Sequence, residues 1–226
     1  YDMISNSFIG NDGNGRDSDP RDPGDWVSAG ACGNGYPAQD QDSSWHGTHV
    51  AGTIAAVTNN GQGVAGVAYG AKVVPVRVLG RCGGTTADIA DGIIWASGGS
   101  VSGVPSNANP ADVINMSLGG QGACSSATQQ AINIARGNGT TVVVASGNSN
   151  DNSTNYNPGN CSGVVNVAAT NRNGSRAYYS NYGSNVDVAA PGGAMSYAND
   201  PNGVLSTYNS GTSTPGSDTY GYSQGT

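Results

Sequence analysis

The sequence contains no glutamate and a single lysine, Lys72; its fifteen acidic residues are all aspartates and its other seven basic residues are arginines. Charged residues are only 10% of the 226 residues, which is too few for a coiled coil or for a chain that charge keeps disordered. The net charge of −7 argues against nucleic acid or an anionic membrane as a partner.

Long apolar runs are missing too, and no segment approaches the length that crossing a bilayer requires. Glycine is abundant instead, with 37 residues, but it follows no Gly-X-Y period, which excludes a collagen. A charge-poor chain rich in Asn, Ser, Thr and Gly favours a secreted protein. The length suits one large domain or two small ones, and we expect residues 1–226 to form a single domain.

The cysteines agree with secretion, because they are even in number and lack the Cys-X-X-Cys spacing of a zinc ribbon. Two disulfides can form in three pairings. We expect Cys32 to pair with Cys82 and Cys124 with Cys161, because pairing of neighbours closes the shorter loops. Each bond is then worth about 3–4 kcal/mol in the chain-entropy model. The alternative is four buried free thiols.

Strand-like and helix-like segments alternate after a polar segment, residues 10–44, that has no periodicity and is predicted to be loop. The predicted helices are 46–57, 86–96 with Thr86 as its possible N-cap, and 125–136. The predicted strands are the apolar runs 71–79, 113–118, 141–145, 164–169 and 186–190. This alternation predicts an α/β fold, a parallel sheet with helices on both faces, whose chemistry lies just after the strand ends.

His46 and His49 are the only histidines, and they share a face of the first predicted helix. Three interpretations compete. The pair binds a metal, although the HExxH pattern is excluded because the chain has no Glu. Alternatively the histidines are structural, or His46 is a general base at the helix N-terminus.

Residues after two of the predicted strands favour the general base. Asn148 follows strand 141–145, where its carboxamide can donate to a developing oxyanion, a contact worth about 3–4 kcal/mol; the alternative is an ordinary turn asparagine. Strand residues 113–117 end in residues 118–120, whose bare Leu-Gly-Gly backbone can pair with an extended peptide.

Four segments resemble motifs of the subtilisin-like serine proteases, the subtilases: His-Gly-Thr-His-Val-Ala-Gly-Thr, Val-Ile-Asn-Met-Ser-Leu-Gly-Gly, Val-Val-Val-Ala-Ser-Gly-Asn and Val-Ala-Ala-Pro-Gly. They occur in the family's order and cover most of the chain. The resemblance implies a subtilisin-like three-layer fold, truncated at both ends, and a secreted bacterial serine endopeptidase that cleaves polypeptides through an Asp/His/Ser triad.

The resemblance also implies roles for individual residues. His46 matches the catalytic histidine and Asn148 the oxyanion-hole asparagine. The residues that match the two segments beside the primary specificity pocket are Ser117, Leu118, Gly119, Ala145, Ser146 and Gly147. The residues that match the edge strand pairing with substrate are Gly83, Gly84 and Thr85.

Two of the three triad motifs are missing from these residues. No Asp-Thr-Gly or Asp-Ser-Gly occurs, and Asp2 belongs to a segment that resembles a later part of the family pattern. The chain stops at Gly225-Thr226, where the serine of Gly-Thr-Ser-Met-Ala would come next. We therefore expect an incomplete fragment of an active enzyme, inactive when alone.

Two substitutes for the missing residues are unconvincing. Ser213 follows a Gly-Thr pair, but Pro215 and Gly216 then make a turn instead of an apolar helix. Asp42 is a loop residue only four positions before His46, and solvation is its expected state.

An acidic loop predicts a structural calcium ion, which the family resemblance also implies. Carboxylates on flexible backbone suit Ca²⁺. The residues concerned are Asp12, Asp17, Asp19, Asp22 and Asp25, of which we expect Asp17, Asp19, Asp22 and Asp25 to be ligands. Arg16 and Arg21 can neutralise some of them, and the alternative is a solvated loop.

We expect no organic cofactor, a monomer, and a propeptide in the full-length precursor. Two other functions stay open here. One is a catalytically inactive subtilase-like binding domain, and the other is an unrelated calcium-dependent, β-rich adhesin.

Overall fold

The computed structural model describes all 226 residues, which form two compact units. The first comprises Tyr1–Gly92 and Ser206–Gly221, and the second comprises Ile93–Leu205 and Tyr222–Thr226. That residues 1–226 form a single domain stays a prediction. None of the helices combines the length and the apolar character that crossing a membrane would require.

A four-stranded parallel sheet in the order β1-β3-β5-β6 is the centre of the second unit. Its strands are β1 (Val113–Met116), β3 (Thr141–Ala145), β5 (Val165–Thr170) and β6 (Val188–Pro191). Asn115 lies opposite Val143 and Val144 lies opposite Asn166. The predicted parallel sheet is confirmed, and its strands begin or end within about two residues of the predicted bounds.

Helix α4 (Ser126–Gly137) connects β1 to β3 and packs against β3. Ser125 caps it, because its hydroxyl accepts a hydrogen bond from the Thr128 N–H at 3.0 Å. The helix buries one face, made of Thr128, Ala131, Ile132 and Ala135. The helix was predicted from Ala127, Ala131, Ile134 and Ala135, of which Ala131 and Ala135 are buried while Ala127 and Ile134 are exposed.

Two short pairings were not predicted. Strand β2 (Gly120–Gln121) pairs with β4 (Tyr156–Asn157) just after a 3₁₀ turn, and β7 (Val204–Asn209) pairs with β8 (Asp218–Ser223). Strand β8 is Asp-Thr-Tyr-Gly-Tyr-Ser, which lacks the apolar alternation that indicates a strand.

The first unit contains the helices α1 (Ser7–Gly10) and α2 (His46–Ala55) and most of α3 (Thr86–Ala96). Residues 10–44 are loop with isolated bridges, as predicted. Helix α3 has its predicted bounds, but Thr85 caps it, because its hydroxyl accepts from the Asp88 N–H at 3.1 Å.

The predicted strand 71–79 is wrong. Only Arg77 pairs there, in an isolated parallel bridge with Asp2. The β-branched run favours a strand, but no second strand continues this bridge, and Pro75 has no N–H to donate. A strand needs a partner as well as a propensity, and only the propensity is visible in the sequence.

Both predicted disulfides are confirmed. Cys32 and Cys82 join within the first unit and Cys124 and Cys161 within the second, with Cα–Cα distances of 5.6 and 5.2 Å. No cysteine is free, so the alternative of buried thiols is wrong.

Candidate active site

His46 is the first residue of α2, and the tryptophan before it fixes this start. Trp45 has left-handed backbone, with φ 49°, and no side chain caps the helix. Its ring is only 2% exposed, and the indole Nε1 donates to the Gly211 carbonyl at 2.7 Å. The buried indole therefore anchors the chain immediately before His46, whose own side chain is exposed.

Gly52 lets α2 lie directly against β7. A Cβ at this position would lie 2.0 Å from Thr207 Oγ1 and 2.5 Å from Ser206 Oγ. These hydroxyls donate into the helix backbone, Thr207 to the Thr48 carbonyl at 2.8 Å and Ser206 to the His49 carbonyl at 2.7 Å. The contact holds the helix turn that carries His46.

His49 is a structural residue. It is 8% exposed, and its Nε2 lies 3.2 Å from the Gly221 carbonyl. Its ring meets Tyr208 edge-on, with centroids 6.4 Å apart. No three His, Cys, Asp or Glu side chains are placed together to hold a metal ion, so the structure does not show a metal centre around the two histidines.

The surroundings of His46 favour a neutral imidazole. Although the side chain reaches solvent, neighbouring protein atoms partly desolvate the ring and lower the pKa of His46 below its ordinary value. His49 lowers this pKa further, while Asp25 and Asp22 oppose the shift. A neutral imidazole can accept a proton, as a general base must. Asp25 is itself held by Ser44, whose N–H and hydroxyl donate to it at 2.6 and 2.7 Å.

The aspartates predicted to bind calcium make separate local hydrogen bonds. Asp17 accepts from Asn14 Nδ2 at 2.8 Å, and Asp22 accepts from the Gly24 N–H at 2.8 Å. Asp19 forms an ion pair with Arg21. No three of these carboxylates are placed together in this arrangement, and calcium binding stays a prediction.

Asn148 follows the end of β3, and Thr226 fixes the orientation of its carboxamide. The Oδ1 atom accepts from the Thr226 N–H at 3.0 Å and from the Thr226 hydroxyl at 2.9 Å. A backbone N–H can only donate, so the atom that faces it must be the carboxamide oxygen. Nδ2 therefore points away from Thr226, on an exposed side chain, and is available to an oxyanion.

Sequence reasoning missed Thr226 as a site residue. Its hydroxyl also accepts from the Gly147 N–H at 3.2 Å, so one side chain contacts two consecutive residues of the loop after β3. The only available signal was its place in the Gly-Thr pair that the family motif contains.

The two segments predicted to flank the specificity pocket follow neighbouring strands. Ser117 to Gly119 come after β1, and Ser146 and Gly147 come after Ala145, the last residue of β3. Since β1 and β3 are parallel neighbours, both segments leave the sheet at the carboxyl ends of its strands. Gly119 lies so close to the β4 backbone that a Cβ would be 2.8 Å from the Asn157 carbonyl.

The residues predicted to form a substrate-pairing edge strand lie in a turn and a helix cap. Gly83 has a φ of 99° and pairs back on Gly80 in an isolated bridge. A Cβ on Gly84 would lie 2.2 Å from the Val78 carbonyl, and Thr85 caps α3. Their role in substrate binding stays a prediction.

Comparison with known proteins identifies the family. The model of the subtilase family, Peptidase_S8, matches residues 8–226. An extracellular protease of Xanthomonas campestris pv. campestris is 60% identical over 226 residues, all of this chain and 37% of that protein. An extracellular basic protease of Dichelobacter nodosus is 50% identical over 229 residues, all of this chain and 36% of that protein. The chain thus spans somewhat more than a third of these relatives.

Comparison with solved structures agrees with the family match. A protease from Pseudoalteromonas arctica PAMC 21717 superposes with a TM-score of 0.97 at 77% identity, covering 100% of this chain and 66% of that one. A cold-adapted subtilisin-like serine proteinase gives a TM-score of 0.53 at 40% identity, covering 66% of this chain and 49% of that one. The fold is therefore the subtilisin-like α/β fold.

Proposed function

The chain belongs to the subtilase family, and we propose that it forms part of the catalytic domain of a secreted serine endopeptidase that hydrolyses polypeptides. The observation that carries the proposal is the carboxamide of Asn148, whose oxygen is held by Thr226 and whose Nδ2 is left open. The family match over residues 8–226 and the names of two extracellular protease relatives support it.

His46 acts as the general base in this proposal. As a serine hydroxyl attacks the scissile carbonyl carbon, His46 takes the hydroxyl proton, and it later donates that proton to the leaving amine. These 226 residues hold neither the serine motif nor the aspartate motif, so the proposal requires both from outside them. No observation favours the inactive binding domain.

Asn148 stabilises the charge that this attack creates. When the C–O double bond of the substrate carbonyl opens, its oxygen becomes an anion, and Nδ2 of Asn148 donates a hydrogen bond to it. The donor is oriented before the reaction, because the Oδ1 atom of the same carboxamide is already engaged by Thr226. The hydrogen bond then strengthens mainly in the transition state.

The substrate binds in this proposal as an extended peptide beside Ser117 to Gly119, with Ala145 to Gly147 on the other side of its primary side chain. Gly83 to Thr85 contact the peptide further upstream. We also propose that the enzyme is a monomer and is made with a propeptide.

The experiment that tests the proposal is replacement of the base in the full-length enzyme that we expect to contain this chain. His46→Ala should lower kcat for a peptide p-nitroanilide by about 10⁴–10⁶-fold, because no other group takes the serine proton. The matched control is His49→Gln, which removes a buried imidazole from the same helix and should lower the melting temperature while kcat stays within about tenfold. Activity retained by His46→Ala would contradict the proposal.

A further inference from the structure

Asn181 is a fully buried asparagine that contacts the loop carrying Asn148. It lies between β5 and β6, in a polar segment to which sequence reasoning assigned no function. Its neighbours Ser180 and Tyr179 are buried as well, so the side chain is enclosed in the second unit.

Hydrogen bonds of both its side chain and its backbone join Asn181 to the residues on both sides of Asn148. Before Asn148, the Asn181 Nδ2 donates to the Ser146 carbonyl at 2.9 Å, and the Asn181 N–H donates to the Gly147 carbonyl at 2.8 Å. After it, the Asn181 Oδ1 accepts from the N–H groups of Ser149 at 2.9 Å and Asp151 at 3.1 Å. Asn148, whose side chain is exposed, lies between the two pairs of residues that Asn181 contacts.

The chemistry of the carboxamide suits this position. Ser149 and Asp151 present N–H groups, which only donate, whereas Ser146 presents a carbonyl, which only accepts. A single side chain must therefore offer an acceptor and a donor close together, as asparagine does. Alanine would remove the acceptor for the Ser149 and Asp151 N–H groups and the donor to the buried Ser146 carbonyl, and aspartate would lose that donor.

Gly147 shows how closely the loop approaches this carboxamide. A Cβ at residue 147 would lie 2.2 Å from the Asn181 Nδ2, and the glycine has a φ of 108°. Both observations exclude a side chain there. The backbone of the loop thus lies directly on the Asn181 amide.

We infer that Asn181 is a positioning residue for the oxyanion donor. It fixes the backbone before and after Asn148, while Thr226 fixes the carboxamide itself. Asn181 is buried and does not reach the substrate, so it acts only through Asn148. Catalysis depends on such placement, because a displacement of about 1 Å can cost a rate factor of about 10². The inference rests on the proposed function.

A double-mutant cycle in the full-length enzyme tests the inference. Asn148→Ala alone should lower kcat by about 10²–10³-fold with little change in KM. Asn181→Ala alone should lower kcat by about 10–100-fold, also with little change in KM. In the double variant, Asn181→Ala should cost no more than about a further twofold, because the group it positions is gone.

Two kinetic outcomes overturn the inference. One is an unchanged kcat in Asn181→Ala. The other is a double variant in which the two effects multiply, since Asn181 would then act through another group. Where Asn181→Ala does not fold, Asn181→Asp takes its place in the same cycle, because it keeps the acceptor for Ser149 and Asp151 and replaces the donor to Ser146 with an acceptor.

The matched control is Asn107→Ala. Asn107 Nδ2 donates to the carbonyls of Trp95 and Ala96 at 3.2 Å each, and its Oδ1 accepts from the Asn109 N–H at 2.9 Å. It is another asparagine that ties backbone in the second unit, but it has no bond to the loop after β3. Its loss should lower the melting temperature and leave kcat unchanged.

Amide hydrogen exchange separates a failure of this inference from a failure of the proposed function. If Asn181 holds the loop, Asn181→Ala should speed exchange at Ser149 and Asp151 by at least about tenfold, whereas Asn107→Ala should not. An unchanged kcat in Asn148→Ala contradicts the proposed function and leaves the exchange result standing. Unchanged exchange at Ser149 and Asp151 overturns the inference, whatever the enzyme hydrolyses.

Discussion

At the scale of the residue, the charge of His46 follows from four neighbouring influences. Desolvation and His49 lower the pKa of its imidazole, while Asp25 and Asp22 raise it, and the net direction is downward from 6.5. In the folded protein the neutral form is therefore favoured over a wider pH range than in the unfolded chain. As the pH falls through 6.5, protonation of this group favours the unfolded chain, so it lowers stability at acidic pH.

These opposing influences on the pKa of His46 predict how a substitution shifts the acid limb of the pH profile of kcat/KM. In the full-length enzyme, Asp25→Asn should move the acid limb of kcat/KM to lower pH, because Asp25 raises the pKa of His46. Asp42→Asn is the control, since Asp42 does not contribute to this shift, and its limb should coincide with that of the parent enzyme. A limb that moves to higher pH in Asp25→Asn would contradict the assignment.

The sequence pointed to candidate catalytic residues more readily than to the residues that hold them in place. His46 and Asn148 were proposed because each lies in a motif and at one end of a predicted element, and their catalytic roles stay predictions. Thr226 and Asn181 were missed because they are polar residues in segments without periodicity. Their partners are 78 and 32 residues away in the chain, so their roles appear only in three dimensions.

At the scale of the element, sequence patterns within single segments predicted helices α2, α3 and α4 and the strands of the parallel sheet. The other strands depend on which segments pair with each other. Helix α4 has a serine cap and one buried face, both legible in the sequence. Residues 71–79 have the composition of a strand but pair only at Arg77. Strands β7 and β8 pair with each other, and neither strand was predicted. A pairing partner is a property of the fold, and one sequence segment does not contain it.

Helix α2 provides a prediction at this scale. Gly52→Ala should push the helix away from β7, because the new Cβ would lie 2.0 Å from Thr207 Oγ1, and should destabilise the fold by about 1–3 kcal/mol. Chemical denaturation of the full-length enzyme measures the loss. Gly47→Ala is the matched control in the same helix, because nothing lies within 4 Å of its Cβ; it should be neutral or stabilising by up to about 1 kcal/mol. Equal effects of the two substitutions would contradict the close contact with β7.

At the scale of the whole molecule, composition predicted the class and the cross-links. A chain with 10% charged residues and four cysteines was expected to be secreted and to contain two disulfides, and both disulfides form. The pairing was predictable because, of the three possible pairings, the one that joins neighbouring cysteines and closes the shorter loops is the one that forms. The division into two compact units was not predicted, since β7 and β8 contribute residues to both and no linker in the sequence marks a boundary.

Calcium is the remaining prediction for the whole molecule, and thermal unfolding tests it. If the acidic loop binds Ca²⁺, millimolar CaCl₂ should raise the melting temperature of the full-length enzyme relative to EDTA, because a ligand that binds only the folded state stabilises it. Asp17→Asn combined with Asp22→Asn should abolish the increase, and Asp218→Asn, a β8 residue outside the loop, should not. No increase, or an increase that survives the double substitution, would exclude calcium from this loop.

The close approach of Gly147 to the Asn181 carboxamide also has an evolutionary consequence. A side chain at residue 147 has no space while an asparagine occupies residue 181, since the two atoms would be 2.2 Å apart. Residue 147 therefore cannot acquire a side chain first, whereas a smaller residue at 181 can occur beside Gly147. Among descendants of a common ancestor, a side chain at 147 should appear only where Asn181 has already been replaced by a smaller residue.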